Sequence, residues 1–256
     1  MVGAVCIWFL IAFFGNPVSE FLLKQNAKEY LAENWPDSEY IIESVGYDFK
    51  TSNYYAEVSL PGSMDNNFTI YGGFNGKISF DTYEDSVVKR RNTAGRIGDE
   101  YRETVDKVFD GGTFGYTSDI SFGDIEFADS DYAEDESVPD YAIYTETLIP
   151  DAEYDVYDMG RKAGCLTVYV YDDDVSVEKL AEVLLELKVV MDNEHVGFRA
   201  VNCVLEHPKG ENGVQSASER VEVIRFAYDD IYENGLPERV SKAYNSAKEY
   251  YAQQSK

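Results

Sequence analysis

The chain has 256 residues, with 48 Asp and Glu against 22 Lys and Arg, giving a formal net charge of -26. Such a surplus of acid excludes sequence-independent nucleic-acid binding, whose affinity comes from cations displacing phosphate counterions. A content of 44% hydrophobic residues, with 14% aromatics, excludes bulk disorder.

Residues Val2 to Phe14 form an uninterrupted apolar run. Thirteen helical residues span about 20 Å, whereas a bilayer core is about 30 Å thick, so the run reads as part of a transmembrane helix that continues or began further upstream. No Lys or Arg precedes it, and Phe13-Phe14-Gly15-Asn16-Pro17 offers no small-residue cleavage site. The reading is a retained single-pass anchor on the cell membrane, with the acidic body outside the cytoplasm.

Asn16-Pro17 is an N-cap with proline at the first helical position, and Val18, Phe21, Leu22 and Leu31 follow at helical spacing until Asn34-Trp35-Pro36. Strands are predicted at Tyr40 to Phe49, Asn53 to Leu60, Asn67 to Gly72 and Lys77 to Tyr83. Gly72 to Lys77 has glycines, but their spacing and Ile78 do not fit a phosphate loop, so Asn75-Gly76 is read as a hairpin. One long helix is predicted from Glu84 to Phe109, with Val87, Val88, Ile97, Tyr101, Val105, Val108 and Phe109 inward. It carries Lys89, Arg90, Arg91, Arg96, Arg102 and Lys107, and the first four are expected to face acids of the linker or second domain.

Asp124 to Asp140 holds eight acids in seventeen residues: Asp124, Glu126, Asp129, Asp131, Glu134, Asp135, Glu136 and Asp140. An EF-hand register fails, because counting from Asp129 puts Ala133 at the fifth position and Glu134 at the glycine turn. A solvated acidic linker is the reading, with divalent-cation response as the alternative.

Beyond it, Tyr141 to Leu148 alternates as a strand, and Asp155 to Ala163 is a short helix ended by Gly164. Cys165 to Tyr171 is a strand, and Ser176 caps a helix with Leu180, Val183, Leu184, Leu187 and Met191 at core spacing. Strands at Val196 to Glu206 and Arg220 to Tyr228 precede a last helix from Pro237 to Gln253. Asp172-Asp173-Asp174 reads as an exposed acidic turn. Cys6, Cys165 and Cys203 form no disulfide framework. Cys165 and Cys203 are read as buried free thiols, a disulfide being the alternative. Zinc at Cys203 and His207 lacks ligands, since His195 is the only other histidine.

The fold class is therefore α+β: an apolar transmembrane helix followed by two small α+β domains, each an antiparallel or mixed sheet packed with helices. The domains are 1–15 (anchor), 16–110 (N-terminal), 111–140 (acidic linker) and 141–256 (C-terminal). No catalytic, cofactor-binding or metal-ligating set is assigned. The functional reading is an extracytoplasmic binding or interaction module, contacting the membrane through its N-terminal helix and an unknown protein or ligand partner, with no nucleic acid. An enzyme with an unrecognised site is a further alternative.

Several strings carry a resemblance: Phe14-Gly15-Asn16-Pro17-Val18-Ser19, Lys28-Glu29-Tyr30-Leu31 before Trp35-Pro36, and Gly76-Lys77-Ile78-Ser79-Phe80-Asp81-Thr82-Tyr83 leading to Asn92-Thr93, Arg96 and Asp99-Glu100-Tyr101-Arg102. To these are added Gly164-Cys165-Leu166-Thr167-Val168-Tyr169-Val170-Tyr171 and Asp230-Ile231-Tyr232-Glu233-Asn234-Gly235-Leu236. Together they resemble the YfjL-like proteins of Gram-positive bacteria. The resemblance implies membrane anchoring, an N-terminal and a C-terminal domain, and no established activity. It supplies no functional residues. The Lys-rich start and fuller transmembrane helix of that family have no counterpart here.

Overall fold

In a computed structural model, residues 15–132, 135, 137–210 and 219–254 are described. The chain divides into two compact units. One holds the residues up to Gly95 together with Thr145–Ala152, and the other holds Arg96–Tyr144 together with the chain from Glu153 onward.

The first unit begins with helix α1, Pro17–Asn34. The Asn16 side chain accepts from the Val18 N–H, proline occupies the first helical turn, and the Trp35 N–H closes the other end on Leu31 O. Leu23, Ala27 and Leu31, spaced four apart, are its buried stripe. They lie on an antiparallel sheet in the order β1 (Ile41–Asp48), β2 (Asn53–Ser59), β3 (Asn67–Gly72) and β4 (Ile78–Asp81). Tyr54, Ala56 and Val58 alternate into this core with Phe68 and Ile70. At the β3–β4 turn Gly76 has φ +74°, and a Cβ there would stand 2.6 Å from Leu22 Cβ. The Gly72 to Lys77 stretch is thus a hairpin docked on α1.

The transmembrane helix of the predicted fold class is overturned. Among the described residues no helix is long and apolar enough to cross a membrane. The helix that follows the apolar run starts at Pro17 and carries Glu20, Lys24, Lys28, Glu29 and Glu33, so it cannot extend an apolar span. Residues 2–14 themselves lie outside the described residues.

The predicted Glu84–Phe109 helix is interrupted. A π-helical turn, Glu84–Val88, is followed by Arg90 with φ +60°, and α2 runs from Arg91 to Asp110. The break turns Val88 out to 42% exposure, while Val87, Ile97, Tyr101, Val105 and Val108 are buried as predicted.

The second unit is built on a mixed sheet in the order β10–β9–β8–β5. Its strands are β5 (Thr117–Ile125), β8 (Gly164–Tyr171), β9 (Ala200–Glu206) and β10 (Arg220–Ala227). A two-residue parallel pair, β6 (Phe127–Ala128) and β7 (Ile143–Tyr144), is separate. Tyr141 to Leu148 is therefore not one strand; a 3-10 turn at Thr145–Thr147 ends its extended part after two residues. Helix α3 (Val156–Ala163) is capped by Asp155, and α4 (Val177–Asn193) is capped by Ser176, the latter as the sequence predicts. Helix α5 spans Leu236–Gln254.

Strands β8 and β9 are parallel, joined through α4, with Leu166 opposite Val201 and Val168 opposite Cys203. One sheet face thus carries Leu166, Val168, Val170, Val201, Cys203 and Leu205, all fully buried. Cys165, Thr167, Tyr169, Asn202 and Val204 take the opposite face.

Candidate functional site

That second face holds a groove of about 720 Å³, in the size range of ligand sites. Strand β8 supplies Thr167 and Tyr169, β9 supplies Asn202 and Val204, and β10 supplies Glu222, Ile224 and Arg225. Ala243, Ser246 and Ala247 of α5 line it as well, small residues that leave room above the sheet. Glu126 and Ser137 complete the lining.

The β9–β10 register shifts between Val223 and Phe226, and inside this bulge Arg225 takes φ +47°. A non-glycine residue held there costs about 1–3 kcal/mol, so other contacts must fix it. Its N–H donates to Asn202 Oδ1 at 2.8 Å, its Nη1 donates to Ser137 O at 3.1 Å, and Nη2 stands 3.8 Å from Glu126 Oε1. Asn202 in turn points Nδ2 at Thr167 Oγ1, 3.3 Å away, and at Cys165 Sγ, 3.4 Å away. The bulge therefore re-aims one cation, which is held by Asn202 of β9, by Ser137 in a turn and by Glu126 in the link after β5.

Glu222 brings a carboxylate into the same groove with its side chain only 8% exposed, accepting from Arg220 Nη2 at 3.2 Å. Burial of a carboxylate is costly unless it is paired, and here the partner guanidinium is itself half exposed. The Tyr141 hydroxyl is buried without a hydrogen-bond partner among the described residues. It lies within electrostatic reach of Cys165, Glu126, Arg225 and Arg199, and burial pushes its pKa up to about 12. Burial likewise pushes the Cys165 thiol up to about 12, which keeps it protonated and weakly nucleophilic. The groove offers fixed hydrogen-bonding groups and apolar wall, an arrangement suited to holding a ligand.

The residues singled out in the sequence are dispersed. Cys165 and Cys203 are free and buried, on opposite faces of the sheet. His195 stacks on Tyr157 with ring centroids 4.2 Å apart, in a second pocket of about 340 Å³ that also includes Asp155 and Thr104. His207 stands 3.9 Å from Glu219. Among the described residues no group of three His, Cys, Asp or Glu could hold a metal ion.

The acids of 124–140 have local work: Asp124 pairs with Arg102, Glu126 faces Arg225, Asp129 accepts from the Asp131 N–H, and Asp135 accepts from the Ser137 N–H. Glu134 and Glu136 lie outside the described residues. Asp172 lies 3.6 Å from Lys179 and accepts from the Asp174 N–H. Of the basic cluster, Arg91 pairs with Asp85, Arg96 with Glu100 and Lys107 with Glu103, all close in sequence. Arg90 donates to Val87 O.

Sequence reasoning passed over Asn202, Glu222 and Arg225. The available signal was polarity inside apolar strands: Asn202 between Val201 and Cys203, and Glu222 between Val221 and Val223.

No curated protein and no solved structure matches the chain. The YfjL-like N-terminal domain family matches residues 1–82, and the YfjL-like C-terminal domain family matches residues 100–241, the stretch that contains the sheet and groove just described. With both domains matched in order over most of its length, the chain belongs to the YfjL-like family.

Proposed function

We propose that this YfjL-like protein is a binding module and that the groove on the second unit's sheet holds its ligand. The observation that carries this reading is Arg225, kept in a costly backbone conformation by Asn202 and aimed across the groove at Ser137 and Glu126. Strain of this kind persists where the surroundings over-determine it, and such places are enriched in ligand clamps. Glu222 adds a carboxylate, and Thr167, Tyr169 and Asn202 add polar side chains, so the favoured ligand is polar and carries hydrogen-bond donors and acceptors. An extracytoplasmic location belongs to the same proposal and rests on the apolar run 2–14; protease treatment of intact cells should degrade the acidic body, and full protection would sink it.

The binding test is a thermal-shift screen of short peptides and oligosaccharides against the wild-type chain, Glu222→Gln and Tyr169→Ala. A groove ligand at 100 times its Kd stabilises by about 2.7 kcal/mol, and the shift should fall in both variants. Ligands that shift all three proteins equally would overturn the assignment of the groove.

A further inference from the structure

The first unit contains a separate cavity of about 460 Å³ between α1 and β1. Leu31 and Ala32 of α1, Trp35, and Tyr40 and Ile42 of the following chain give it an apolar and aromatic lining. Trp35 is half-buried and anchored, with ring centroids 5.1 Å from Phe68 and 4.6 Å from Tyr83. Lys24 and Lys28 line the same cavity.

These two lysines belong to a minority of cations, with Lys77, Lys162 and Lys242, whose ammonium forms no ion pair among the described residues, and they are the two that line a cavity together. Acids outnumber bases 48 to 22, and cations such as Arg91, Arg102, Lys107, Lys179, Arg199 and Lys209 each meet a carboxylate within 4 Å. Lys24 and Lys28 have no ion-pair or hydrogen-bond partner among the described residues. Four apart on one helix, they stack like charges on one face, an arrangement that is mildly destabilising unless an anion joins them. The acids nearest in sequence, Glu20, Glu29 and Glu33, form no ion pair with either ammonium.

We infer that this cavity binds an amphiphilic anion, its acyl or aryl body against Trp35, Tyr40, Ile42 and Leu31 and its negative head between Lys24 and Lys28. Charge complementarity selects the head, and the volume admits a body of roughly a dozen carbons, within the ordinary range of small-ligand sites. The lysines act at the rim, so they discriminate sign of charge and impose salt dependence, while the aromatic lining supplies the burial. This inference is independent of the groove in the second unit.

The test uses the full chain with Trp8→Phe, so that Trp35 is the remaining tryptophan fluorophore. Sodium dodecanoate and 2-naphthoate are titrated below micellar concentrations, with dodecyltrimethylammonium as the cationic counterpart. Saturable quenching or shift of Trp35 emission by either anion, with the cation at least about tenfold weaker, is the expected result. Lys24→Gln/Lys28→Gln should weaken anion binding by about tenfold or more, and should leave the thermal midpoint of the free protein unchanged or raised, since both residues are exposed and the swap removes their mutual repulsion. Loss of dodecanoate alone or of naphthoate alone identifies the body as aryl or acyl and supports the site. Equal binding of anion and cation, an unaltered double variant, or no saturable response to either anion would overturn it.

Discussion

The Tyr101 hydroxyl donates to the Gly197 carbonyl at 2.9 Å, a wholly buried bond that ties α2 to the segment before β9. The ring has no slack around it: a Cβ added at Gly123, Gly160 or Gly164 would come within 2.8 Å of Tyr101 atoms. Burial drives the phenol far above its ordinary pKa, so it stays a donor at every pH at which the protein folds. Tyr101→Phe keeps the shape and removes the bond. The expected cost is about 1–2 kcal/mol in urea unfolding, with unchanged m-value.

In the first unit, Asp151 docks the Thr145–Ala152 segment onto the β2–β3 turn. Its carboxylate accepts from Ser63 Oγ at 2.7 Å, the Met64 N–H at 2.6 Å and the Asp65 N–H at 3.0 Å, while its own N–H donates to Asp65 Oδ2 at 2.8 Å. Burial raises the Asp151 pKa, but the bonds from Ser63, Asp65 and Met64 outweigh it and hold the carboxyl below its ordinary value. A depressed folded-state pKa means stability that is complete above the unfolded value of about 3.9 and is lost as pH falls through the folded value. Asp151→Asn suits the left-handed backbone at φ +60° and discharges the group. It should cost about 1 kcal/mol near neutral pH, and the gap to wild type should close on acidification below about pH 4 in a pH series of unfolding curves.

The thiols give a chemical readout of the second sheet. Cys165 and Cys203 sit on opposite faces of the sheet, and burial pushes both up to about 12. Their thiolate fraction at pH 8 is lower than that of an ordinary cysteine by about three orders of magnitude, before steric protection is counted. In a Cys6→Ser background, folded protein should resist iodoacetamide for hours and take up two labels in denaturant, as measured by intact mass. Rapid single labelling of the folded chain would place one thiol at the surface.

How far the sequence carries the fold depends on how local the determinants are. Helix α1 was legible at both ends because Asn16-Pro17 and Trp35-Pro36 act on the backbone directly. Strand β5 was missed: Thr117 to Ile125 is rich in Ser, Asp and Gly, and it holds as an edge strand through pairing with β8 some fifty residues later. The break at Arg90 was missed because Lys89-Arg90-Arg91 are good helix formers, and their tertiary setting overrides that propensity. The groove was out of reach for the same reason. Thr167, Asn202, Glu222 and Arg225 are brought onto one face by strand register, including a bulge that turns Arg225 back onto it.

Arg225→Gly separates strain from function at that bulge. Glycine adopts positive φ freely, so the substitution relieves a cost of about 1 kcal/mol or more, while it deletes the bonds from the guanidinium to Ser137 and Glu126. Both contacts are partly exposed and together offset a similar amount. Unfolding free energy should therefore stay within about 1 kcal/mol of wild type, whereas Arg225→Ala, which keeps the strain and loses the contacts, should fall by about 1–2 kcal/mol. Ligands found for the groove should lose affinity equally in both variants, because each removes the same cation from the same lining. A ligand whose binding tracks stability and not the guanidinium would show that Arg225 shapes the bulge and takes no part in recognition.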